Sequence, residues 1–316
     1  MLEKHRTAAG HLAALITILI WGTTFISTKI LLIDFTPVEI LVTRFVMGYF
    51  ALLMVYPHRI KTKGIKEEAL FLSAGLCGVT LYFLMENIAL TYTLASNVGV
   101  IVSVSPLFTA ILAHFLLEGE SMRTSFIIGF IIAITGVILI VLNGSYILKL
   151  NPIGDLLATL AALVWSVYSI LMRKISDLGQ NSIGCTRRVF FYGLILMTPC
   201  LFFLDFDPEF RQFAELPNLL NLLFLGLGAS ALCFVSWNWT LGVLGAVKTS
   251  LYIYVIPVIT IAASALILRE TITPVACAGV VLTLAGLYLS QRTPQRTSPD
   301  TSQEQPKAVL EEDLDL

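Results

Sequence analysis

The chain has 316 residues, 57% of them hydrophobic and 13% charged, with a formal net charge of −1. A soluble domain usually carries about 25% charged residues, so too little polar surface exists here to wrap a globule in water, and lipid is the expected solvent. The near-neutral balance gives no pull toward nucleic acid. The five cysteines (Cys77, Cys185, Cys200, Cys233, Cys277) sit in apolar segments without a CxxC pair and read as buried small side chains, with no metal site implied.

Taken in order, ten apolar runs are long enough to span a bilayer core of roughly 30 Å: residues 11–33, 38–56, 68–90, 95–117, 124–142, 153–173, 183–204, 219–241, 246–268 and 274–290. Backbone groups in lipid must be satisfied within a segment, and the alternation of a barrel strand is missing, so all ten are predicted helices. The first run is too long for a signal-peptide core and no small-residue cleavage site follows it, which predicts a retained span. Thr36-Pro37-Val38-Glu39 reads as a capping box with Pro at the first helical position, and Asn151-Pro152 and Thr273-Pro274 repeat the cap-then-Pro device. Pro106 and Pro257 fall inside apolar runs and predict kinks or hinges.

Orientation follows from Lys and Arg in the loops. With residues 1–10 in the cytoplasm, the inner side holds Lys4, Arg6, Arg59, Lys61, Lys63, Lys66, Arg123, Arg173, Lys174 and Lys248, against Lys149, Arg211 and Arg269 outside. Both ends are then cytoplasmic, and residues 291–316, polar and ending EEDLDL, are expected to be disordered.

The chain is self-similar. A shift of 144 places Trp21 on Trp165, Lys29 on Arg173 and Arg44 on Arg188; a shift of 151 places Gly75 on Gly226, Asn87 on Asn238 and Pro106 on Pro257; a shift of 150 places Glu120 on Glu270, Gly129 on Gly279 and Gly136 on Gly286. Residues 11–142 and 153–290 thus form two units of five spans joined by residues 143–152. An odd number inserts the second unit upside down, which predicts an inverted repeat with two near-equal states and a solute site near the midplane.

The run ALTYTLASNVGVIVSVSPLFTAILAHFLLEGE (Ala89 to Glu120), followed by TGVILI, resembles the EamA-type permeases of the drug/metabolite transporter superfamily. VIPVITIAASALILRET (Val255 to Thr271) and LTLAGLYL match the same pattern, and the second copy departs at the hinge, where Arg269 replaces Gly119. The resemblance covers about residues 11–290 and implies an all-α bundle of ten transmembrane helices moving small metabolites, often amino acids or their derivatives.

Candidate cavity residues are polar or aromatic groups sharing helix faces. Thr17, Trp21, Thr24 and Thr28 share one face of the first run, and Trp165, Tyr168 and Met172 answer them in the sixth. Tyr82, Glu86 and Asn87 mark the third run, Trp237 and Asn238 the eighth, Asn97, Ser105 and Thr109 the fourth, and Lys248, Tyr252 and Tyr254 the ninth. A charge at mid-bilayer costs a few kcal/mol and usually faces protein or a wet cavity. Glu86 is therefore either a proton-coupling carboxylate or a static partner of Lys29 or Arg44. Arg44 and Arg188 either hold a substrate carboxylate or are snorkelling or structural. Gly129, Gly136, Gly279 and Gly286 read as close-packing positions.

The resulting expectation is a secondary transporter of the cytoplasmic membrane, working by alternating access with export as the expected direction. Its partners are a small solute, the bilayer and a coupling proton, with no cofactor; monomer and homodimer both stay open. No GxxxxGK[ST] loop is present, so ATP does not drive it directly. The rivals are a membrane enzyme, disfavoured by scattered cysteines and few membrane histidines, and a sensor or assembly partner without transport.

Overall fold

The computed structural model describes residues 2–92, 95–118, 124–142, 151–204, 206–267 and 273–291. The Gly119 to Arg123 hinge, the linker over 143–150, Arg269 with Glu270, and the tail after residue 291 lie outside the described residues. Among the described residues the secondary structure is entirely helical. Six helices are long and apolar enough to cross a membrane: Lys4–Leu31, Pro37–Val55, Ile65–Tyr92, Pro152–Ser176, Ser182–Phe203 and Leu216–Leu244. Shorter apolar helices cover Ser105–Leu116, Thr124–Leu139, Ala246–Ile259 and Cys277–Ser290.

Local chemistry explains the entries. Helix α1 runs Leu2–Leu31 and α2 Pro37–Val55. At the start of α2 both arms of the capping box form: Thr36 Oγ1 accepts from the Glu39 N–H at 3.4 Å, and Glu39 Oε2 accepts from the Thr36 N–H at 2.8 Å. Glu39 also receives the Asp207 N–H at 3.1 Å, so the cap ties α2 to a distant loop. Asn151 caps its helix by accepting from the N–H groups of Ile153 and Gly154, both at 3.2 Å.

The third long helix is built in three parts: α3 (Ile65–Gly75), a π-helical turn (Leu76–Leu81) and α4 (Tyr82–Tyr92). Then come α5 (Ala95–Val102), α6 (Ser105–Leu116), α7 (Thr124–Leu142), α8 (Pro152–Ser176) and α9 (Ser182–Met197). Two short helices, α10 (Cys200–Phe203) and α11 (Phe210–Phe213), precede α12 (Leu216–Leu223), which passes through a second π segment, Phe224–Leu232, into α13 (Cys233–Leu244). The chain continues through α14 (Ala246–Ser250), a 3-10 segment (Leu251–Val255), α15 (Ile256–Ile267) and α16 (Pro274–Gln291).

Pro106 and Pro257 do not kink continuous helices. Each stands second in a new helix, α6 or α15, after a break at Ser103–Val104 or the 3-10 segment. A missing N–H costs nothing in a first turn, so proline marks where the helix restarts.

Helices α7 and α16 cross at backbone contact. A Cβ on Gly136 would lie 2.5 Å from the Thr283 nitrogen and 2.6 Å from the Gly279 oxygen, and one on Gly129 would lie 2.6 Å from the Gly286 oxygen. Small residues allow such an approach, and van der Waals contact then holds the pair in lipid. Elsewhere the core is aromatic: Phe45 meets Phe83, Phe190 and Phe234 at centroid distances of 5.1, 4.9 and 5.7 Å.

Candidate functional site

A cavity opens where α1, α2, α4, α5 and α8 meet the 3-10 segment and the start of α15. Its wall is formed by Trp21, Thr24, Phe25, Arg44, Tyr82, Phe83, Glu86, Val102, Trp165, Ile253 and Ile256. Six of these, Trp21, Thr24, Arg44, Tyr82, Glu86 and Trp165, are sequence candidates. The volume is about 30 Å³, which is room for roughly one water.

Rings close the space. Trp21 meets Trp165 edge-on at 5.3 Å and Trp237 at 5.0 Å, and Tyr82 meets Trp165 at 4.8 Å. The Trp21 indole donates to the Ala229 carbonyl at 2.9 Å, in the second π segment. A π turn leaves carbonyls outside the usual ladder, and this one receives a donor from another helix.

A guanidinium and a carboxyl group face the cavity. Arg44 is 2% exposed and Glu86 6%. Arg44 Nε donates to Ser230 Oγ at 3.0 Å, and its guanidinium lies 4.4 Å from the centre of the Phe83 ring, a cation–π contact. The Glu86 carboxylate accepts from the Tyr82 hydroxyl at 3.3 Å. The two are within coulombic reach without forming a direct ion pair. Arg44 does not snorkel, and among the described residues Lys29 makes no ion pair with Glu86; it donates to the Leu90 carbonyl at 2.8 Å.

The other sequence candidates stand elsewhere. Asn87 donates to the Pro37 carbonyl at 3.1 Å and fastens α4 to the start of α2. Tyr168 donates to Asn238 at 2.7 Å, and Asn238 donates to Thr186 at 3.0 Å, a buried chain joining α8, α13 and α9. Trp237 backs Trp21 rather than lining the cavity, and its buried Nε1 has no partner. Ser105 lends its carbonyl to Ser166 at 2.9 Å, while its own hydroxyl is buried without a partner. Tyr252 meets His11 Nδ1 at 2.6 Å, away from the cavity wall. Lys248 is exposed, and Arg188 is bridged to Glu68, so neither charge reaches the cavity. The side chain of Asn97 lies outside the described residues.

Sequence reasoning missed Phe25, Phe83, Val102, Ile253 and Ile256 in the wall, and Ser230 behind Arg44. Phe25 was within reach, standing one turn beyond Trp21 on the same face. Ser230 was not, because it lies within a π segment that rotates its face away from the regular helical register.

Long apolar helices, a crossing made of glycines and buried charges around an aromatic cavity define a helical membrane protein with an internal polar site. The sequence pattern of the EamA-like transporter family matches twice, over residues 8–142 and 152–291, and the chain belongs to that family. An uncharacterized transporter of Archaeoglobus fulgidus is 28% identical over 290 residues, covering 89% of this chain and 96% of its own length. The uncharacterized transporter YvbV of Bacillus subtilis is 27% identical over 289 residues, 91% of this chain and 92% of its own. A probable terminal-alkyne amino-acid exporter of Streptantibioticus cattleyicolor is 23% identical over 283 residues, 89% and 92% of the two chains. A solved crystal structure superposes with a TM-score of 0.70 at 18% identity, covering 90% of this chain and 96% of that one, and shows the fold alone.

Proposed function

We propose that the protein is a secondary transporter that exports a small zwitterionic metabolite of the amino-acid kind across a cytoplasmic membrane. The single observation that carries this is the placement of Arg44 and Glu86, buried and opposite in charge, on one aromatic-walled cavity. A guanidinium suits an α-carboxylate; a carboxylate with ring faces beside it suits an ammonium group. Insertion scales charge roughly 2.5–3.5 kcal/mol for an ionised side chain at mid-bilayer, a cost that a binding site justifies better than packing does. The probable terminal-alkyne amino-acid exporter of Streptantibioticus cattleyicolor, 23% identical, supports the class of solute.

In this reading the ten apolar runs form two inverted five-span units, residues 11–142 and 153–290, with both ends in the cytoplasm. An amino acid does not fit in about 30 Å³, so the cavity walls must part to admit it. The breaks before Pro106 and Pro257 and the two π segments are the places where helices can bend at least cost. Glu86 serves as the proton carrier, neutral or charged according to which side it faces.

Flux of radiolabelled amino acids into liposomes under an imposed pH gradient tests this. Wild-type protein gives saturable uphill flux, and Glu86→Gln keeps exchange but loses pH-driven accumulation. Accumulation that survives Glu86→Gln removes Glu86 from coupling; no flux for any zwitterion favours a sensor without transport.

A further inference from the structure

A second cavity, of about 590 Å³, lies at the other end of α2, where it meets α9. Its lining is graded. Tyr49, Leu53 and Phe191 come from within the two long apolar helices, while Arg59, Arg187 and Arg188 come from the loop after α2 and the first turns of α9. Arg188 is already neutralised by Glu68. Arg187 is not: it donates to the carbonyls of Tyr56 and His58, the latter at 2.7 Å, and neither group carries formal charge. Arg59 is exposed and has no ion-pair partner among the described residues. Two uncompensated guanidinium groups therefore stand at one end of a crevice whose other end is apolar.

The surroundings separate a lipid from a soluble anion. Phe191 is 45% exposed and Met54 78% exposed, and such residues on helices long enough to span a bilayer face acyl chains. Lys61 and Lys63 follow Arg59 in the same loop, and Lys66 stands in the first turn of α3, beside Glu67 and Glu68. A basic cluster beside span ends, with a basic pocket between the spans, is the arrangement that recognises anionic headgroups. We propose that this crevice binds an anionic phospholipid, with its phosphate between Arg59 and Arg187 and an acyl chain along Leu53 and Phe191. The lipid would bridge α2 and α9, one helix from each of the two segments that match the family, and so bear on how the halves move. The inference rests on α2 and α9 being membrane spans but not on the solute.

Native mass spectrometry of the purified protein, given equimolar phosphatidylglycerol and phosphatidylcholine, tests it. Phosphatidylglycerol should be retained preferentially. A juxtamembrane Arg contributes about 1 kcal/mol, so Arg59→Gln should weaken that preference roughly fivefold. Lys66→Gln, which removes a nearby positive charge at the start of α3 and outside the cavity, should leave most of it. Equal effects of the two variants would reduce the site to diffuse surface charge and overturn the proposal. So would full displacement of the lipid by inorganic phosphate at millimolar concentration, which would make the ligand a soluble anion. A concentration-dependent dimer in lipid-free detergent, lost in Phe191→Ser and with no lipid preference, would assign the crevice to a second copy. Because the readout is bound lipid, failure here leaves the transport reading intact.

Discussion

Replacing Arg44 by Met isolates the charge at the centre of the cavity, because the Met side chain still packs on Phe83. The substitution removes the donor to Ser230 and leaves Glu86 without its positive neighbour. Removing one member of a buried pair costs about 3–5 kcal/mol. Glu86→Gln alone strands Arg44 in the same way. At an effective dielectric of about 20, two unit charges about 4 Å apart attract by about 4 kcal/mol and two about 8 Å apart by about 2 kcal/mol, and Arg44 and Glu86 interact without a direct ion pair. The double variant Arg44→Met/Glu86→Gln should therefore cost less than the sum of the singles by about 2 kcal/mol or more. Denaturant titration of the four proteins in one detergent measures this. Meanwhile transport should be lost in every variant that lacks Arg44, the restabilised double variant included. A cycle that closes within about 0.5 kcal/mol would show that the two side chains do not sense each other, and the shared charged site would fall.

Gly136→Leu forces a side chain into the backbone of α16, where even an added Cβ would lie 2.5 Å from the Thr283 nitrogen; a loss of about 3 kcal/mol or more is expected, and a monodisperse gel-filtration peak with an unshifted melting temperature would refute the crossing. Tyr168→Phe leaves the Asn238 oxygen buried without its donor; this should cost about 1–3 kcal/mol of stability without altering solute affinity, and a weakened solute Kd would move that chain into the transport path. Glu39→Ala removes one arm of the capping box and the Asp207 contact; thermal unfolding should report a loss of about 1 kcal/mol, and an unchanged melting temperature would show that the cap carries no stability.

Local rules reached much of this architecture from the sequence. The Thr36–Glu39 cap, the Asn151 cap and the glycines seven apart in α7 and α16 depend on neighbours along one helix or on a single crossing. Trp21 and Trp165, aligned by the repeat, do meet at the cavity. Asn87 and Asn238 align equally well, yet both are spent on scaffold hydrogen bonds. Repeat alignment finds equivalent positions along a helix, but what a side chain touches is set by partners distant in sequence. The two π segments lie just before Tyr82 and Cys233 and shift the register of the faces that follow, which no period-3.6 reading anticipates. The prolines suggest kinks in continuous helices for a related reason: in the sequence alone, a proline in the first turn of a new helix looks the same as one that kinks an unbroken apolar run.

Thr24 lines the cavity and offers the most direct measurement. In a variant with all five native cysteines replaced, Thr24→Cys can be challenged with a membrane-impermeant thiol reagent from each side of oriented vesicles. A cavity that opens alternately should label from both sides, with solute or a pH gradient shifting the balance between them. Labelling from one side alone under every condition would contradict it.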